Sequence, residues 1–239
     1  MQVFIPLWIT EAVFAGLFIP AGYPTTTKKS FVLKMGACAL FLANGLYAFS
    51  LSAHTPYGVS ILLGLGSGWI GDVFLALDPF VRRKQNRKLT VALYAIGGFF
   101  FLLGHLAYMA AFTRLLLESH AFRVLPFLLT CGCLLLCFVL TFVLAGVKAG
   151  KYLAPVALYA FGLSGMCALA ICCALFVFPG APVPQAVLIA APLLFAFSDV
   201  TLALRTVDKE RFESLPMRAV CLAAYFLAQM LLGLSIRLV

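Results

Sequence analysis

The chain has 239 residues, of which 64% are hydrophobic and only 10% are charged. No water-soluble domain of this length can bury so much apolar surface, so the composition excludes a soluble protein and predicts a protein that lies in the bilayer. A net charge of +9 is also typical of proteins that bind nucleic acid, so the positions of the basic residues must show whether this protein does.

A transmembrane helix needs about 20 mostly apolar residues. Eight such stretches follow one another, and their short interruptions leave no room for a soluble domain. We therefore predict an all-α fold, a polytopic bundle of eight transmembrane helices that forms a single domain over residues 1–239. The first stretch has no Lys or Arg near Met1 and is predicted to be a retained helix rather than a signal peptide. The predicted helices cover roughly 2–20, 31–51, 57–77, 90–112, 124–146, 152–177, 185–204 and 217–238.

The basic residues between these helices are distributed unequally over the two faces of the membrane. Short loops rich in Lys and Arg stay in the cytoplasm, so both termini are predicted to be non-cytoplasmic. The same residues can attract anionic headgroups, which makes membrane lipids the expected partners and leaves no need for nucleic acid. Twelve basic residues lie on one face, namely Lys28, Lys29, Arg82, Arg83, Lys84, Arg87, Lys88, Lys148, Lys151, Arg205, Lys209 and Arg211, and three lie on the other, Arg114, Arg123 and Arg237.

Two aspartates lie inside apolar helix-length segments and share a local sequence. Residues 71–77 read GDVFLAL around Asp72, and residues 198–204 read SDVTLAL around Asp199. A carboxylate at membrane depth is unfavourable by roughly 2.5–3.5 kcal/mol, so it is tolerated mainly beside a partner or in a polar cavity. The third and seventh helices run in the same direction, so the shared pattern is consistent with a 4+4 parallel repeat. Chance is the alternative, because Leu, Ala and Val dominate the composition.

Further polar residues lie inside the predicted helices, several of them in the same half of the membrane as the aspartates. At about 1.5 Å per residue, Lys34 and the two aspartates lie about 6–8 Å inside the boundary, and two tyrosines lie at about 11–13 Å. Each has a structural alternative: the lysine could snorkel, the tyrosines could be interfacial, and a histidine could be a packing residue. A short aspartate snorkels poorly, which makes Asp72 and Asp199 the catalytic candidates. The two tyrosines are Tyr159 and Tyr225. His105, Asn44, Glu11 and Gln229 lie deeper, towards the midplane or beyond.

Two carboxylates in a medium of low dielectric constant do not readily both ionise, so they share a proton. One then acts as general acid while the other acts as base or stabilises a developing cation, an arrangement that suits hydrolysis through an oxocarbenium-like transition state. The chain lacks a Gly-x-Ser-x-Gly motif for a nucleophilic serine, and its eight Cys and three His show no metal-binding spacing. No metal or cofactor is predicted.

The ordered set of polar residues resembles the YhhN family of lysoplasmalogenase-like membrane proteins. The matching pieces cover the second to eighth helices and include Lys34, GDVFL at 71–75, HLAY at 105–108, Tyr159, FSDVTLAL at 197–204 and YFLAQ at 225–229. Met35 stands where the family pattern suggests proline, and Arg205 stands where it suggests asparagine. Neither departure touches the carboxylates, although both bear on headgroup recognition.

The resemblance implies hydrolysis of the vinyl ether bond of a lysoplasmalogen, which yields a fatty aldehyde and a glycerophospho-ethanolamine or -choline. It makes this lysophospholipid the partner, requires no cofactor, and places the site near the cytoplasmic leaflet, in the inner membrane if the cell is bacterial. Two alternatives remain open: a proton-coupled transporter and a scaffold that uses the same residues for helix packing. Under this implied reaction Asp72 and Asp199 are catalytic, and Lys34, His105, Tyr159, Tyr225, Gln229 and Ser198 bind or orient the substrate.

Overall fold

The computed structural model describes residues 3–23, 26–82, 86–147, 150 and 153–239. Within these residues the chain forms helices and no strands, and eight of the helices are long and apolar enough to cross a membrane. The predicted all-α bundle of eight spanning helices is therefore confirmed. The helices are α1 Phe4–Ala21, α2 Lys28–Ser50, α3 Thr55–Arg82, α4 Arg87–Glu118, α5 Val124–Leu144, α6 Leu153–Phe176, α7 Pro182–Val207, the short α8 Lys209–Phe212 and α9 Leu215–Leu238.

Helices α3 and α4 extend furthest beyond their predicted bounds. The third continues to Arg82 rather than ending near 77, and the fourth runs over Arg87–Glu118 rather than 90–112. Apolar composition marks the part of a helix that lies in lipid, whereas the backbone hydrogen bonds continue into water. The extension of α4 is supported by an ion pair one turn apart, between Arg114 Nε and Glu118 Oε1 at 2.6 Å.

Side chains at the helix starts fix two of the helices that carry polar residues. Thr27 and Ser30 form a capping box, in which Ser30 N donates to Thr27 Oγ1 at 3.1 Å and Thr27 N donates to Ser30 Oγ at 2.8 Å. In the last helix, Met217 N donates to the side chain of Ser214 at 3.3 Å. These caps set the positions from which Lys34 and Tyr225 enter the bundle.

The helix contacts repeat between the two halves of the bundle. Helix α3 packs on α4 as α7 packs on α9, and α2 packs on α3 as α6 packs on α7. Across the halves, α2 contacts α9 as α6 contacts α4, and the outer helix of each half, α1 or α5, lies against the next helix in the chain. This pattern agrees with the predicted 4+4 repeat, and it places α3 and α7 in equivalent positions.

Glycines allow α3 and α4 to approach closely. The ring of Tyr108 lies over Gly64, so closely that a Cβ there would overlap it, and a Cβ on Gly104 would lie 3.2 Å from the Gly64 carbonyl oxygen. Small residues at a helix interface let transmembrane backbones pack tightly. The consequence is that Tyr108 of α4 reaches past α3 towards α9.

The outer surface of the bundle is apolar. Leu144 of α5 is 84% exposed and Leu125 is 67% exposed, and large aliphatic side chains are exposed along α1 as well. An apolar surface of this extent is stable only against lipid. Polar side chains are found in the interior instead, where Asp72, Asp199, His105 and Gln229 are all buried.

Candidate functional site

Asp72 is surrounded by three hydrogen-bonding groups from two other helices. Lys34 Nζ of α2 lies 2.6 Å from Asp72 Oδ1. Tyr225 of α9 donates its hydroxyl to Oδ2 at 2.5 Å, and the Cys38 thiol donates to the same oxygen at 3.4 Å. A cation and two donors stabilise a carboxylate rather than an acid. Asp72 therefore has the environment of an anion.

The Lys34 side chain turns into the bundle. It is only 12% exposed, and its ammonium group is bound to a carboxylate rather than extended towards the headgroups. The snorkelling alternative considered for this residue does not describe its position. A buried ion pair of this kind is unfavourable to break, because the remaining charge loses its compensation.

A second layer of hydrogen bonds holds Tyr225 in place. Gln229, one turn further along α9, donates from Nε2 to the Tyr225 hydroxyl at 3.0 Å and accepts from the Tyr108 hydroxyl at 2.9 Å. Gly68 of α3 leaves the room for this amide, since a Cβ there would lie 3.0 Å from Gln229 Nε2. The series of hydrogen bonds from Tyr108 through Gln229 and Tyr225 to Asp72 thus connects α4, α9 and α3.

Asp199 has different neighbours. Tyr159 of α6 donates its hydroxyl to Asp199 Oδ2 at 2.6 Å. His105 Nε2 of α4 lies 3.7 Å from the same oxygen, which is beyond hydrogen-bond distance. No lysine or arginine of the described residues forms an ion pair with Asp199. The two aspartates therefore share a sequence pattern but have unlike environments.

Aromatic rings connect the two carboxylates. The Phe195 ring packs edge-on against His105 with centroids 5.0 Å apart and against Tyr225 at 5.7 Å. His105 in turn packs against Tyr159 at 5.0 Å. His105 and Tyr159 border Asp199, whereas Tyr225 is bonded to Asp72. The Phe195 ring therefore lies between the side chains around Asp199 and those around Asp72. The two aspartates thus belong to separate groups of polar side chains that pack against the same aromatic ring.

The residues that the sequence proposed are mostly brought together. Lys34, Tyr225 and Gln229 are connected to Asp72, and Tyr159 and His105 border Asp199. Sequence reasoning missed three residues: Cys38, Tyr108 and Phe195. Cys38 lies one turn after Lys34 and Phe195 one turn before Asp199, so helical spacing was the signal available for both.

Three of the proposed polar residues lie elsewhere. Asn44 donates to the Met230 carbonyl oxygen at 2.9 Å, and the other two are Ser198 and Glu11. Ser198 faces α9, where its hydroxyl lies 3.7 Å from Cys221 Sγ and its carbonyl oxygen accepts from that thiol at 3.4 Å. Glu11 is buried on α1 at 4% exposure, and its Oε1 has no hydrogen-bond partner. None of the three contacts an aspartate through any described hydrogen bond. Four of the basic residues that define the predicted topology, Arg83, Lys84, Lys148 and Lys151, lie outside the described part of the chain.

The arrangement can hold one proton beside one negative charge. Asp72 is compensated by the ammonium group of Lys34. Asp199 instead accepts a hydrogen bond from the Tyr159 hydroxyl and lies beside the His105 imidazole. Such an unequal pair can supply an acid and an anion to one reacting group. Among the described residues, no three His, Cys, Asp or Glu side chains are grouped so that they could hold a metal ion.

Eight spanning helices around a buried polar interior define a polytopic integral membrane protein. The model of the YhhN family matches residues 26–236, nearly the whole chain, and the chain belongs to the YhhN family. The match begins after α1, so the helix that carries Glu11 lies outside it. No curated protein and no solved structure matches the chain.

Proposed function

We propose that this protein is a lysoplasmalogenase-like hydrolase, which cleaves the vinyl ether bond of a lysoplasmalogen by carboxylate acid–base catalysis within the membrane. The observation that supports the proposal most is the unequal pair of buried aspartates: one is compensated by Lys34, and the other forms no ion pair with a lysine or arginine of the described residues. Membership of the YhhN family agrees with this reaction class.

In the first step, Asp199 acts as the general acid. Its carboxyl proton passes to the β-carbon of the vinyl ether, the carbon–carbon double bond becomes a single bond, and an oxocarbenium ion forms at the α-carbon. Asp72 remains ionised, because Lys34 and two donors stabilise its negative charge. That charge in a buried site favours the cation that develops in the transition state.

In the second step, water attacks the α-carbon. The water oxygen forms the new bond, its released proton restores the acid form of Asp199, and a hemiacetal results. Collapse of the hemiacetal breaks the bond to the glycerol oxygen, which gains a proton while the hemiacetal hydroxyl loses one. The products are a fatty aldehyde and a glycerophospho-ethanolamine or -choline, with no net change in the enzyme.

The membrane orientation belongs to this proposal as well. The ends of the helices that carry most of the basic loops would face the cytoplasm, both termini would lie on the other side, and the site would lie nearer the cytoplasmic leaflet. Cys38, Asp72 and Tyr225 each lie ten residues from this end of their helices, about 15 Å along the axis. The lipid phosphate would then remain near the basic loops while the vinyl ether reaches the carboxylates.

The deciding experiment is mass spectrometry of detergent-purified protein incubated with a lysoplasmalogen and, separately, with an ester lysolipid of the same chain length. The proposal expects aldehyde from the vinyl ether substrate only. Protein that binds the vinyl ether lipid but releases no aldehyde would overturn it. A buried lysine–aspartate pair is also suited to a proton-coupled transporter of an amphiphile, and substrate flux into proteoliposomes without bond cleavage would favour that function.

A further inference from the structure

His105 is held in one orientation by its own helix. Its Nδ1 lies 2.7 Å from the Phe101 carbonyl oxygen, which can only accept, so Nδ1 carries a hydrogen. The ring is 1% exposed and lies edge-on against Tyr159 and Phe195. Whether Nε2 is also protonated depends on what that nitrogen faces.

Nε2 faces the Asp199 carboxyl at 3.7 Å and has no hydrogen-bond partner. An imidazolium beside a carboxylate normally closes to about 2.7–2.9 Å, because the charge-assisted hydrogen bond is strong. The longer separation, together with the apolar rings around it, favours a neutral imidazole. In that state the Nε2 lone pair points at Asp199.

A lone pair directed at an oxygen of Asp199 disfavours the carboxylate form of that residue and favours the acid. Tyr159 donates one hydrogen bond to Oδ2, which is the only compensation the described residues offer to a negative charge there. Asp72 differs, because it has an ammonium group and two further donors. The neighbours of the two aspartates therefore favour a proton at Asp199 over one at Asp72.

We propose that His105 is a positioning residue that keeps the catalytic proton on Asp199: its neutral imidazole presents the Nε2 lone pair to the carboxyl and makes the carboxylate form unfavourable. The proposal rests on the proposed hydrolysis, in which Asp199 is the acid, and it assigns the residue that keeps Asp199 in its acid form. During turnover, the proton leaves Asp199 for the β-carbon, and the same lone pair favours its return when water is deprotonated. His105 itself neither gains nor loses a proton over the cycle.

The state of the ring is tested without any reaction, by nitrogen NMR of protein labelled with ¹⁵N-histidine. The expected spectrum assigns a neutral ring to His105, with Nδ1 protonated and Nε2 unprotonated, and the Asp199→Asn variant should shift the Nε2 resonance because an amide then donates to it. The His105→Phe variant identifies the signal. An imidazolium, or a neutral ring protonated on Nε2, would overturn the proposal whatever the activity is.

The kinetic test compares two substitutions of this residue. His105→Phe keeps an aromatic ring but removes the lone pair, and we expect kcat to fall at least about 10-fold with little change in KM, because only acid catalysis is weakened. His105→Gln restores an acceptor oxygen and should recover part of kcat. His54→Phe is the matched control, since His54 lies at the opposite end of the bundle and contacts Glu118.

The outcomes separate this inference from the proposed function. Normal kcat in a folded His105→Phe protein would refute the positioning role while the hydrolysis remains established by aldehyde release. If wild-type protein releases no aldehyde, the hydrolysis fails, and the NMR spectrum still decides whether His105 is a neutral acceptor for Asp199. Loss of kcat in both His105 variants with an unchanged melting temperature, and no recovery by Gln, would also refute the lone-pair argument.

Discussion

His105 and Tyr225 lie on corresponding helices of the two halves of the bundle, α4 and α9, and each lies against the aspartate of the other half. Tyr225 is bonded to Asp72 of α3, and His105 faces Asp199 of α7. Each aspartate also receives a side chain from the preceding helix of its own half, Lys34 in one case and Tyr159 in the other. The repeated architecture therefore holds different side chains on corresponding helices, which makes two similar carboxylates chemically unequal.

The first prediction concerns the two aspartates. Asp72→Asn and Asp199→Asn should each lower kcat for lysoplasmalogen by at least about 10²-fold, the usual range for a general acid or base. The double variant should lose far less than the product of the two, because the groups act as a unit. Aldehyde release under saturating substrate measures both effects.

The control for these substitutions is Asp208→Asn, which makes the same chemical change outside the spanning helices. Asp208 caps the short α8 and contacts Arg211. Its variant should keep wild-type turnover within about 2-fold, since changes at surface pairs are usually small. Near-normal turnover in either folded site variant would contradict the acid–base proposal.

The second prediction concerns the Lys34–Asp72 ion pair. Lys34→Met should lower the free energy of unfolding by about 3 kcal/mol, because it leaves a buried carboxylate without its cation. Adding Asp72→Asn should restore most of this stability, since the uncompensated charge is then removed. Chemical unfolding in detergent micelles measures both variants. Additive losses in the double variant would show that the pair is not coupled.

Lys34 also discriminates between two roles. A lysine that only receives the lipid phosphate would raise KM on substitution, because headgroup binding is similar in the ground and transition states. The 2.6 Å contact with Asp72 instead predicts that Lys34→Met lowers kcat. An increase in KM with unchanged kcat would show instead that Lys34 binds the lipid headgroup.

The third prediction concerns the phenol that is bonded to Asp72. Tyr225→Phe removes a hydrogen bond to a charged group, which typically contributes about 1.5–3 kcal/mol, so kcat should fall at least about 10-fold. Tyr57→Phe is the control: Tyr57 is also buried and hydrogen-bonded, to Ser235, away from both carboxylates. Equal effects of the two substitutions on turnover would show that Tyr225 acts through folding alone.

The sequence predicts the helices and the polar residues well, because apolar length determines membrane spans and a buried carboxylate is conspicuous in an apolar helix. It does not distinguish Asp72 from Asp199, since their local patterns are alike and their partners come from other helices. Cys38 and Phe195 were missed because thiols and rings resemble ordinary packing in so apolar a chain. The sequence likewise gave no reason to separate Ser198 from its neighbour Asp199, whereas the rotation of α7 directs it towards Cys221.

The fourth prediction perturbs the site without removing any of its chemical groups. A Cβ on Gly68 would lie 3.0 Å from Gln229 Nε2 and 3.6 Å from the Tyr225 hydroxyl oxygen, whereas a Cβ on Gly66 would meet nothing within 4 Å. Gly68→Ala must therefore displace the amide by a few tenths of an ångström and weaken its 3.0 Å hydrogen bond to Tyr225.

Loss of one such bond corresponds to about 1 kcal/mol, so Gly68→Ala should lower kcat by about 5-fold while Gly66→Ala leaves it unchanged. Both variants add the same methyl group to the same helix, which cancels any general effect of alanine on α3. Comparison of turnover and melting temperature for the pair isolates the orientation of Tyr225 as the cause. Equal turnover in the two variants would mean that the Gln229–Tyr225 contact does not contribute to the reaction.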